Sequence, residues 1–380
     1  MKTRRLFVGV SLFVALLGLA VFSGSRAPKP SGGLEDAVTV DHDDWVLTED
    51  SSPQTETIRA TLASAVRSAC DGRESQADDG EWAQLNAKER EDFFNALMQT
   101  VSERLSESTS AEHLHVAAIL TDDRDRRFAL MDRAIAIDPT DPLLVWRAVQ
   151  MCSGREAPAR CLSRDWERQL IAVDGENSES WIQIAANRYA EGDVDSALMA
   201  LRRASTAAES RAYWPETVEM IERGLAASSD FTFPERANMA FGFAAAIPSS
   251  YYDHYVMCKD QSQKDSEWAY ACLAYGELVE ARGKEEMSVS HARSMQWVAL
   301  DASGEKKRAE ELRRRIEARS RARLESYSER MPVDRLIVSS PAVFSAYLAA
   351  VKAEGGASAM RAMSDEFERQ LELRPELACE

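Results

Sequence analysis

The chain has 380 residues, 45% hydrophobic and 29% charged, with 17 Gly and 12 Pro, enough for one sizeable core or an extended array of small units. Its formal net charge is −17; the first 30 residues carry Lys2, Arg4, Arg5, Arg26 and Lys29 and no acid, so removing that +5 leaves residues 31–380 at −22. So acidic a body excludes general nucleic-acid binding, which needs Lys and Arg in excess for phosphate contacts, and predicts repulsion from anionic lipid.

Met1 to Arg5 is a short basic stretch, followed by LFVGVSLFVALLGLAVF from Leu6 to Phe22, 17 residues without a charge. That length lies between a secretory apolar region and a short membrane span, so residues 1–25 are read as a signal peptide or an uncleaved signal anchor. Ser23-Gly24-Ser25 offers small residues for cleavage, whereas a cut after Ala27 would place Pro28 next to the scissile bond; no Cys follows for lipoprotein processing. With the basic end held inside, either outcome exports the rest to the periplasm, tied to the inner membrane by residues 6–22 if uncleaved. Residues 26–57 read as an acidic tether: four Pro or Gly, then eight acids from Glu35 to Glu56 without a base. Such a segment buries too little surface to fold alone and is expected to be extended. An alternative role is docking through Trp45 in DHDDWVL.

From Thr57 onward apolar residues recur at helical spacing, and strand signals are almost absent. The expected order is a helical cap over 58–107, helical repeats over 108–250 and a helical region over 251–380. Asp138-Pro139, Gly192-Asp193 and Gly304-Glu305 mark turns; Ser340-Pro341 starts a helix that Gly355-Gly356 stops.

Trp146, Trp181 and Trp214 are spaced 35 and 33 apart. After Trp181 come Ile184, Ala185, Ala197, Leu201 and Ala204, an order of small and large residues that lets two antiparallel helices approach closely. Residues 108–141 carry the same skeleton in Leu114, Ala118, Met131, Ala134 and Pro139, closing on AIAIDP. Residues 142–177 end in LIAVDGENSES, and Gly304 with Ala309 repeats the spacing of Gly192 with Ala197. This resembles the tetratricopeptide repeat over 108–210, more loosely to about 325. Arg188 stands at the usual Tyr position (Tyr189 is next to it), and Glu209 replaces the closing Pro.

The resemblance implies an all-α fold, an α-α superhelix of antiparallel helix pairs, whose concave face takes a protein or peptide. That face would be lined by Glu112, Val116 and Ile119 of one unit and by Glu179, Ile182, Ala186 and Tyr189 of another. It lacks the Lys/Asn clamp of relatives that capture C-terminal carboxylates. The expected role is docking of an amphipathic segment in the cell envelope, with no cofactor.

Cys152 with Cys161 and Cys258 with Cys272 are spaced to staple neighbouring helices, each worth about 3 kcal/mol. Cys70 and Cys379 remain, paired by chain closure or free. Zinc is disfavoured, because neither pair has a CxxC spacing or a nearby His. Residues 305–330 hold ten Lys or Arg against six acids. They read as a solvated helix with pairs Glu310–Arg314, Glu311–Arg315 and Glu317–Arg321, or as a patch for anionic headgroups or for the acidic tether.

No HExxH, GxSxG, SxxK or phosphate-loop motif occurs, and His113 and His115 point to different sides of one helix. The chain is therefore read as a non-enzyme without a metal site. SSYYDHYVMC, with Asp253 and His254, is the one clustered candidate for a periplasmic hydrolase acting on envelope polymers; a purely structural envelope anchor is a further alternative.

Overall fold

The computed structural model describes residues 53–69, 86–152, 165–247, 250–325 and 327–373. Among these the chain is an α-α superhelix of packed neighbouring helices, and the only β feature is an isolated parallel bridge between Asn177 and Glu209. The helices are α1 (Pro53–Ala69), α2 (Ala87–Ser106), α3 (Ala111–Leu120), α4 (Arg124–Ile137), α5 (Pro142–Met151), α6 (Trp166–Asp174), α7 (Ser178–Ala190), α8 (Val194–Ala204) and α9 (Trp214–Ser228). Then come α10 (Phe233–Ala246), α11 (Tyr251–Ser262), α12 (Ser266–Arg282), α13 (Glu286–Ala302), α14 (Lys306–Glu325), α15 (Tyr327–Ser339), α16 (Pro341–Glu354) and α17 (Gly356–Leu373). The apolar run 6–22, the tether up to residue 52, Cys70, Cys161 and Cys379 lie outside the described residues.

Caps written into the sequence set the helix starts. Ser110, Asp123, Asp141, Asp165, Asn177 and Asp193 each accept a backbone N–H two or three residues on. The pairs α3–α4, α5–α6 and α7–α8 stack in order. Ala185, Ala197 and Ala204 are fully buried, so α7 and α8 close on each other around Leu201. Their turn is a helix C-cap with Gly192 at φ 87: the Asp193 N–H donates to Arg188 O (2.9 Å) and the Gly192 N–H to Tyr189 O (3.0 Å). Gly304 (φ 79) repeats this between α13 and α14, where Glu305 N–H donates to Leu300 O (3.0 Å). No atom crowds the position of a Cβ on Gly192, so Gly192→Ala carries only the left-handed backbone penalty. It is expected to cost about 1 kcal/mol in chemical denaturation with unchanged helicity.

After α8 the stack is interrupted. The next pair on α7 and α8 is not α9–α10 but α11–α12, joined to each other by the Cys258–Cys272 disulfide. Cys152 is also disulfide-bonded, and its expected partner Cys161 is among the residues not described. The pair α9–α10 is an inserted hairpin: α9 packs on α2, α3 and α16. Its closest approach is Gly224, where a Cβ would sit 2.9 Å from both methyls of Val116 on α3. Beside it Arg223 Nε donates to Glu112 Oε1 at 2.8 Å. Trp214 therefore does not repeat the place of Trp146 and Trp181; it opens α9 and packs on Phe241 of α10 (5.6 Å). The spacing of 33 does not mark a third repeat unit there.

The last helices close the array. α1, with Ile58 and Leu62 fully buried, packs against α15, α16 and α17. Ser340 caps α16 and Gly355 (φ 94) ends it, as the sequence implies. There a Cβ would meet the Lys284 carbonyl at 2.9 Å.

Candidate functional site

The residues expected to line an open concave face do not line one. Val116 is buried beneath Gly224, Glu112 is paired with Arg223, and Ile119 is half-buried against the core. Glu179, Ile182 and Ala186 are buried, and Tyr189 is half-buried against α11 and α12. The Tyr189 hydroxyl accepts from Gln261 Nε2 (3.3 Å), and its ring meets Trp268 edge-on at 6.4 Å. The cause is the chain itself: α9 crosses α3 and α11 packs on α7, covering the face from within.

What fills the space is polar. Residues 205–213 connect α8 to α9 without helix, and buried backbone groups need partners. The Asn177 side chain supplies two, donating from Nδ2 to Arg211 O (2.9 Å) and accepting the Arg211 N–H at Oδ1 (3.0 Å). Ser178 N–H donates to Glu209 O (2.9 Å), and Arg282 donates to the carbonyls of Ala207 and Ala208 (2.7 Å each). Tyr213 holds a left-handed backbone (φ 59), rare for a residue with a Cβ. It is locked by its hydroxyl donating to Asp174 Oδ1 (2.7 Å) and by its ring 6.0 Å from Trp146.

Next to this linker two acids lie inside the protein. Glu179 Oε1 accepts from Tyr275 (3.3 Å) and Ser210 (3.3 Å). Glu285, the residue before α13, accepts the Ala212 N–H at Oε1 (3.1 Å), and its Oε2 has no partner. Burial, then the charge of Glu285, pushes Glu179 up to about 7; burial pushes Glu285 up to about 7 as well. Arg147 of α5 reaches towards the same region, stacked over Trp146 (4.9 Å) and donating to Gln150 (2.8 Å). Burial lowers its guanidinium to about 10. Tyr251 pairs with Ser288 (2.6 Å) and stacks on His291 (4.7 Å), which lies 5.7 Å from His254. Chemically this cluster pins a linker and can store protons near neutral pH. Glu285, Tyr275 and Arg147 had no local signal in the sequence, since an acid in the first turn of a helix or before it reads as an ordinary cap or dipole partner.

Asp253 and His254 do not converge: His254 is buried, with neither ring nitrogen partnered, and Asp253 is on the exposed side of α11. Among the described residues there is no group of three or more His, Cys, Asp or Glu side chains placed to hold a metal ion. No single described helix is long and apolar enough to cross a membrane; only the bent pair Val333–Ser339 and Pro341–Glu354 passes by length and composition together.

A surface feature lies on the far side of the α7–α8 pair. A groove of ≈ 570 Å³ has Trp181, Ile184, Met199 and Ala200 as its apolar part and Arg188, Arg202 and Arg203 at its rim. Met199 is 60% exposed, unusual for a large apolar side chain. Arg188 pairs with Glu167 and Arg202 with Glu267, while Arg203 has no ion pair among the described residues. Trp181 is fixed by donating from Nε1 to Gly175 O at 2.7 Å. Comparison of the chain with protein families, with curated proteins and with solved structures finds no match, so the geometry alone describes this molecule.

Proposed function

We propose that the chain is an exported tetratricopeptide-like scaffold, held in or released from the inner membrane by residues 1–25, that docks an amphipathic, acid-edged segment of a partner protein. The observation that carries the reading is the α7–α8 groove, an apolar floor edged by arginines on a chain of net charge −17. With the inner face covered by α9 and α11, docking moves to the outer side of the same helix pair. An acidic amphipathic helix matches both the floor and the rim, and the arginines select against basic segments. A hydrolase built on Asp253 and His254 is the weaker proposal, because the two side chains lie on different sides of α11.

The test is a photo-crosslinking phenylalanine placed at Met199 and activated in living cells. One partner adduct is expected, reduced about tenfold by Arg203→Glu. An adduct insensitive to that reversal, or none, removes the docking reading.

A further inference from the structure

Helix α14 is the cationic exception in an acidic body: Lys306–Glu325 holds nine Lys or Arg and four Glu. Among its described side chains Ala309 and Leu312 are buried, clustered with Leu300, and Ile316, Leu273 and Trp297 pack against that cluster. The ion pairs expected from spacing form only in part. Arg313 takes both Glu310 (2.8 Å) and Glu317 (3.0 Å), Arg308 takes Glu305 (2.6 Å) and Lys306 takes Asp301 (2.7 Å). Arg314 is left at 3.9 Å from Glu310, and Lys307, Arg315 and Arg321 have no ion pair among the described residues. These four are exposed and fall on one face of the helix, which also carries Glu311 and, one turn past Arg321, Glu325.

We infer that this stripe is the docking surface for the chain's own acidic segment, residues 35–50. Charge is the first argument: the segment carries Glu35, Asp36, Asp41, Asp43, Asp44, Glu49 and Asp50 with no Lys or Arg. The net charge of the body repels it, and this helix attracts it. Place is the second. The segment enters the described structure at Pro53, the start of α1; α1 packs on α15, and α15 follows α14 after one residue. Reach is the third. The residues before Pro53 extend about 3.3 Å each, roughly 60 Å for 18 of them, against about 30 Å for α14. A tethered ligand at millimolar effective concentration outcompetes a weak outside one.

The full chain in a zwitterionic detergent, with p-benzoylphenylalanine at the exposed Ala322 on this stripe, provides the test. Illumination at about 0.02 M salt is expected to give an intrachain adduct mapping to residues 35–52, independent of protein concentration. Raising the salt to about 0.5 M should cut the yield about tenfold. The variants Asp41→Asn/Asp43→Asn/Asp44→Asn and Lys307→Glu/Arg315→Glu/Arg321→Glu should each cut it similarly, all at exposed or acidic-segment positions. Adducts elsewhere in the chain, adducts to a second copy, or no adduct overturn the assignment. Vesicles of equal parts phosphatidylglycerol and phosphatidylcholine give the second arm. The Asp→Asn chain should bind them several-fold more tightly than the unaltered chain; equal binding would mean the stripe is open to lipid, and the proposal falls.

Discussion

Acidification below about pH 4.5 is expected to destabilise the body steeply, with greatest stability between about pH 6 and 7. Three imidazoles sit inside with unpartnered nitrogens: Nδ1 of His115, both nitrogens of His254 and Nε2 of His291. Burial lowers His115 from 6.5 to about 3, with Arg147 adding to it; burial alone lowers His291 to about 3; and burial, then His291, holds His254 well below its ordinary value. A folded value below the unfolded one means that the unfolded chain binds more protons. Stability therefore falls as pH drops through 6.5, by roughly 4 kcal/mol per pH unit for three groups. Glu179 and Glu285 act in the opposite sense: raised from 4.5 to about 7, they bind protons better in the folded state. Between pH 7 and 4.5 they return roughly 3 kcal/mol per unit, leaving a net loss of roughly 1 until the acids are fully protonated. Below that these two acids no longer offset the imidazoles. Urea melts from pH 4 to 8 measure the profile. Glu285→Gln should flatten the neutral limb, and His291→Phe, which keeps a ring against Tyr251, should make the acid limb roughly one third shallower. An acid limb unchanged in His291→Phe would show that the imidazole is not held neutral.

Gly224→Val is expected to cost about 3 kcal/mol, because its branched carbon has no room beside Val116. On an exposed helix the same change would be mildly stabilising, since Val exceeds Gly in helix propensity. The sign therefore reports whether α9 crosses α3. Val116→Ala alone removes buried methyls and should cost about 2 kcal/mol. Together the two changes should fall short of their sum by at least about 1 kcal/mol, the coupling expected of atoms in contact. Strict additivity in thermal or urea melts would place α9 elsewhere.

The helices and the α7–α8 hairpin were legible in the sequence because they are local. Ala185, Ala197 and Ala204 mark a close approach at short range, and Gly192 and Gly304 announce their turns by a conformation few other residues adopt. The covering of the inner face was not legible. Val116, Ile182 and Tyr189 have the same spacing whether a partner's helix or the chain's own covers them. Trp214 sat at a period that fitted, yet the pins that send the chain out of the stack are a single Asn177 and a Glu285 far along the sequence. The same limit hid the site: Glu179 looks like a solvated first-turn acid until Tyr275, 96 residues later, closes over it.

The seating of α1 on α15–α17 sets the order in which this chain is able to complete itself. Of the described helices the first made has its partners made last, about 260 residues later, which at roughly 5–20 residues per second is a wait of tens of seconds. Ile58 and Leu62 have no apolar cover from those helices in that interval. Stacked pairs such as α7–α8 form from neighbours at once, while the packing of α1 on α15–α17 completes in one late, long-range step.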